Sequence, residues 1–129
     1  MTDAEWRCFF EICASTLGVG SHDIFTSQSW CAWTTFSKLK DDLLYWRHGL
    51  PRLEDIADSY IKDGGVWGQP FLYQDIAHII VPRSFGNEYA GSRWKYGIKV
   101  QDIDQLSDAL AAANIIHRKT DLVLEIKLY

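Results

Sequence analysis

The segment TDLVLEIKLY, residues 120–129, constrains the fold more than any other stretch of the chain. Leu122, Leu124, Ile126 and Leu128 fall on one face of an extended backbone, and Val123, Glu125, Lys127 and Tyr129 on the other. A strand with one apolar face needs a sheet to join and other elements to cover that face. Just upstream, Asp102 with Gln105 three residues later marks a helix start. Ile103, Leu106, Leu110 and Ala113 then recur at helical spacing, and Asn114 supplies a left-handed stop. Before that helix, residues 93–101 alternate Trp94, Tyr96, Ile98 and Val100 with Arg93, Lys95, Gly97 and Lys99, the pattern of a strand with one wet face. These elements form a β-α-β unit, which is parallel and right-handed if its two strands share one sheet.

The first half of the chain adds helices. Thr2 and Glu5 make a capping box, followed by Trp6, Phe9, Phe10, Cys13 and Leu17 at helical spacing until Gly18. Residues 19–29 read as a loop with a short extended piece at Ile24 and Phe25, and residues 30–36 as a strand rich in aromatics and Thr. Ser37 can cap a helix carrying Leu39, Leu43, Leu44 and Trp46, closed by Gly49. Pro51 can open another with Leu53, Ile56, Ala57, Tyr60 and Ile61 on its apolar face. Residues 71–81, rich in Ile and Val on both faces and ended by Pro82, suit an inner strand. The expected fold class is α+β: one domain over residues 1–129, a small mixed sheet with the C-terminal β-α-β unit, packed by N-terminal helices.

Bulk properties narrow the function. With 129 residues, 47% hydrophobic and 23% charged, the chain has ordinary globular composition and can bury a core without metal or disulfides. A net charge of −4 with scattered Lys and Arg argues against direct nucleic-acid binding, which needs a clustered basic surface. Three cysteines, with Cys8 and Cys13 about 7.5 Å apart along one helix, point to a reduced, cytoplasmic protein. Asp3 and Glu5 stand where a signal peptide needs positive charge, and no apolar run approaches the roughly 18 residues of a membrane span.

The chemical motifs are sparse. Glu125-Ile126-Lys127 places a carboxylate and an amine on one strand face, as in metal-dependent nucleases. A second carboxylate would have to reach over from Asp104 or Asp108, so a polar strand face is the plainer reading. His22, His48, His78 and His117 lack metal-ligand spacing, and His78, inside the most apolar strand, suits a hydrogen-bonded core histidine. The glycine-rich residues 64–70 follow a helix instead of opening one, so they do not cradle phosphate; they stop a helix or present Trp67. No metal or cofactor is expected.

Taken whole, with YQDIAHIIVPR and TDLVLEIKLY as core strands, the chain resembles small immunity proteins of bacterial contact-dependent growth inhibition and related polymorphic toxin systems. The likeness lies in size, acidity and aromatic content, not in a motif. It implies a non-enzymatic protein that binds a cognate toxin, a basic one and commonly a nuclease, and blocks its active site. From the residues, the partner-binding candidates are Asp41, Asp42, Glu54, Asp55 and Asp58, acids interleaved with Tyr45, Trp46 and Tyr60, together with Trp67 and with Tyr89 in the loop of residues 84–92. The alternatives are a small metal-dependent hydrolase or nuclease using Glu125 and Lys127, and an adaptor for some other protein.

Overall fold

The computed structural model describes residues 1–62, 66–88 and 95–129. Helix α1 (Asp3–Leu17) leads to β1 (Cys31–Thr35), the short helix α2 (Phe36–Asp41) and β2 (Trp46–His48). A 3-10 turn at Leu53–Asp55 precedes β3 (Tyr60–Ile61), β4 (Phe71–Leu72) and a second 3-10 turn at Tyr73–Asp75. Then come β5 (Ile76–Pro82), β6 (Ser84–Glu88), β7 (Lys95–Val100), α3 (Ile103–Ala112), β8 (Arg118–Lys119) and β9 (Val123–Lys127). The fold is α+β. Its main sheet runs in the order β2-β1-β5-β9-β8, and β3-β4 and β6-β7 form separate two-stranded sheets.

The register shows how the sheet divides into two faces. Trp33 pairs with Ile79, Ile79 with Ile126, and Val81 with Leu124. These residues are buried with Trp6, Phe9, Phe10 and Cys13 of α1 and Ile103, Leu106 and Leu110 of α3, so the two helices cover this face. Both helices begin as their sequences dictate. Thr2 and Glu5 complete a reciprocal capping box, and the Asp102 carboxylate accepts from the Gln105 N–H at 2.9 Å. Asn114 ends α3 with φ 57°. On the opposite face one row crosses the sheet through Arg47, Ala32, Ile80, Glu125 and Arg118, and the next pairs Thr34 with His78 and His78 with Lys127.

Several segments depart from the sequence expectations. All pairings among the described residues are antiparallel, and β7 and β9 lie in different sheets, so no parallel crossover forms. Gln101 explains the placement of β7: its buried side chain bonds both backbone groups of Trp30 and the Pro82 carbonyl at 2.9–3.0 Å, which fixes the β6-β7 hairpin beside the sheet. The helix expected from Ser37 is capped by Thr35 and stops at Asp41, and residues 46–48 instead pair with β1. The helix expected after Pro51 is a 3-10 turn followed by β3, with Tyr60 and Ile61 paired to Leu72 and Phe71. Ile24 and Phe25 lie in a turn closed by the Asp23 carbonyl, not in an extended piece. The Tyr73 hydroxyl donates to the Ala57 carbonyl at 2.6 Å, which splits the expected long strand of residues 71–81. Leu122 was expected inward but is 75% exposed, because Thr120 Oγ1 accepts from the backbone of Leu122 and Val123 and turns the chain before β9.

Candidate functional site

The corner between α2 and β2 carries one of the two positive-φ positions not filled by glycine among the described residues, the other being Asn114. Leu43 has φ 53°, a left-handed conformation that costs an L-residue roughly 1–2 kcal/mol and is ordinarily filled by Gly or Asn. Its N–H donates to the Lys38 carbonyl at 2.6 Å, alongside that of Asp42 at 3.0 Å, so the strained residue closes the end of α2. The side chain meets little protein, for Leu43 is 74% exposed and Leu44 43%. Asp41 and Asp42 flank them in solvent, Asp42 pairing with Lys38 at 3.1 Å. The backbone behind this tip is held on three sides. The buried Thr34 hydroxyl donates to the Leu44 carbonyl, the Tyr45 hydroxyl lies 2.7 Å from His78 Nδ1, and Trp46 stacks on Trp33 at 4.5 Å.

Behind the corner, on the face opposite α1 and α3, His78 bridges two elements. Its Nε2 is 3.1 Å from Glu125 Oε2, and Arg118 lies 3.7 Å from the other carboxylate oxygen. The Tyr45 oxygen is also 3.3 Å from that of Tyr129, whose ring underlies the Lys127 amine at 4.7 Å. Burial, then the bond to Tyr129, pushes the Tyr45 phenol up to about 12, so it stays protonated and able to donate. A cavity of about 670 Å³ adjoins this face, with Met1, Ile116 and Leu128 on its apolar side and Arg118, Glu125 and Lys127 at its polar edge.

Asp41 and Asp42 are the predicted partner-binding residues that share this corner. Glu54, Asp55 and Asp58 do not ride on a helix. Glu54 and Asp55 sit in the 3-10 turn, where burial pushes the Asp55 carboxyl up, while Asp58 pairs with Arg7 of α1. Trp67 is not presented to solvent. It is 5% exposed, stacked on Trp33 at 4.0 Å, with its indole N–H on the Gly49 carbonyl. Tyr89 lies outside the described residues. Glu125 is engaged by His78 and Arg118 instead of a second carboxylate, and no group of three or more His, Cys, Asp and Glu able to hold a metal occurs among the described residues. Leu43 and Leu44 were not singled out from the sequence as a surface, because a leucine gives no signal of a positive φ.

His48 offers a pH test of the adjoining core. Trp33 Nε1–H donates to His48 Nε2 at 3.1 Å, while His48 Nδ1–H donates to the Gly49 carbonyl at 3.0 Å. Protonation would set two N–H groups against each other. Burial is the main cause holding the imidazole below its ordinary value of 6.5; the Gly49 carbonyl partly opposes it, and His22 adds to it. The unfolded chain therefore binds the proton first. This contribution to stability is complete above about pH 6.5 and is lost as pH falls below it. Melting temperature should drop between pH 7 and pH 5, and less so in His48→Gln, whose amide oxygen can still accept from Trp33. Equal slopes for both proteins would contradict the assignment.

Compared with known protein families, curated proteins and solved structures, the chain matches none. Among the described residues, no helix is long and apolar enough to cross a membrane.

Proposed function

We propose that this protein is an immunity-type binding protein that neutralises a basic toxin, of the nuclease kind, by docking its α2-β2 corner on it. The observation that carries this reading is Leu43: a large apolar side chain kept in solvent at a backbone position that suits glycine better. The left-handed turn closes α2, but a glycine would close it without the strain, so a large apolar side chain kept there is a pointer to function. Leu43 and Leu44 supply apolar contact, and Asp41 and Asp42 complement a basic surface and speed encounter. The net charge of −4 acts in the same direction.

The test is Leu43→Gly. Glycine adopts a positive φ freely, so stability should hold or rise by up to about 1 kcal/mol in a thermal melt. Protection of cells that produce the toxin encoded in the neighbouring reading frame should nonetheless be lost. Full protection by the variant, or a neighbouring frame that encodes no toxin, would overturn the reading.

A further inference from the structure

We infer that Tyr45, His78 and Glu125 are the positioning residues of the docking corner, a hydrogen-bond chain that presets Leu43 and Leu44 for the partner. The inference rests on the binding role just proposed, but its main evidence is internal to the fold. In the neutral ring, Nε2–H donates to Glu125 Oε2 at 3.1 Å, which leaves Nδ1 to accept from the Tyr45 hydroxyl at 2.7 Å. The Tyr45 oxygen then accepts from Tyr129 at 3.3 Å, and Arg118 lies near the far end of the carboxylate. Each bond fixes the direction of the next. The chain runs from β8 and β9 through β5 into the segment that carries Leu43.

Two features set this apart from ordinary sheet polarity. An apolar residue at position 78 would fill the volume without fixing Tyr45, whereas a buried imidazole is satisfied only when Tyr45 and Glu125 are both in place. A positive φ at a leucine also persists only where its surroundings over-determine it. The ties that do so are the Lys38 carbonyl before Leu43, the Thr34 bond to Leu44 and the Tyr45 bond to His78. A corner held this way has little conformational freedom left to lose when it meets a partner.

Native-state amide exchange on the full chain tests this without a partner. Tyr45→Phe keeps the ring and removes the hydroxyl. Exchange at the Leu43 amide, which donates to the Lys38 carbonyl, should speed at least tenfold in this variant, while the amides of Phe9 and Phe10 in α1 stay as protected as in the parent. Glu125→Leu should do the same. Glu125→Gln, whose amide oxygen still accepts from His78, should leave exchange as in the parent. Unchanged exchange at the corner in both disruptive variants would overturn the inference. In the toxin-protection assay, a protective Tyr45→Phe beside a non-protective Leu43→Gly would overturn the positioning role alone. A protective Leu43→Gly would overturn the binding reading itself and leave the exchange result to decide the rigidity of the corner.

Discussion

Gly20→Ala should abolish cooperative folding or lower the melting temperature by more than about 15 °C, at roughly 4 °C per kcal/mol for a domain of this size. A Cβ at position 20 would lie 2.0 Å from the Leu50 carbonyl oxygen and 2.8 Å from the Leu50 nitrogen. Both are backbone atoms, so no side chain can swing aside. The facing residue is under the same constraint: a Cβ on Gly49 would come within 2.4 Å of the Ser21 nitrogen and of Ser27 Oγ. Two chain segments thus cross glycine against glycine. The crossing is secured by the Gly49 N–H on the Ser21 carbonyl at 2.8 Å and the Leu50 N–H on the buried Ser29 hydroxyl at 3.1 Å. Separating them would break those bonds and withdraw Leu50 from the core, a loss above about 4 kcal/mol out of the 5–15 that hold a typical domain together. Gly68→Ala is the control. Nothing lies within 4 Å of its Cβ, so only its φ of 74° counts against it, at about 1 kcal/mol. If Gly20→Ala melts no lower than Gly68→Ala, the crossing is not the close contact described.

What was legible in the sequence was what local chemistry decides. Thr2 with Glu5 and Asp102 with Gln105 announced α1 and α3, because a cap and its partner lie within one turn. The alternation around Leu124 and Ile126 announced β9, because a period of two sorts side chains onto opposite faces. Residues 37–61 misled for a physical reason. Leu39, Leu43, Leu44 and Trp46 fit a helical stripe as well as they fit a short helix, a corner and a strand, and the arbiter is the stack of Trp46 on Trp33, a contact with a distant residue. The site divides in the same way. Asp41 and Asp42 were legible as solvated acids, and His78 as a hydrogen-bonded core histidine. That its partners are Tyr45 and Glu125, 33 and 47 residues away, is a property of the sheet register and not of any local pattern.

Trp33→Ala should cost about 3–5 kcal/mol, the range for deleting a buried aromatic, and the loss should depend on pH in a way that simple cavity formation does not. Trp33 is fully buried between Trp67 at 4.0 Å and Trp46 at 4.5 Å, with the edge of Phe71 at 4.5 Å, so its removal leaves a void bounded by stiff rings that cannot collapse into it. It also removes the donor to His48 Nε2. At pH 7 that acceptor is left without its partner, a further penalty of about 1–3 kcal/mol if water does not fill the gap. At pH 5 the same nitrogen can take up a proton with no indole N–H opposing it, so the mutant is spared part of the acid loss that the parent suffers. The difference in stability between parent and Trp33→Ala should therefore be smaller at pH 5 than at pH 7. Trp33→Phe supplies a milder version if the alanine variant does not fold: it keeps a ring in the stack, loses the N–H, and should show the same narrowing with pH on a smaller total loss. A difference that is constant from pH 7 to pH 5 in denaturant titrations of both variants would show that Trp33 does not help to keep His48 neutral.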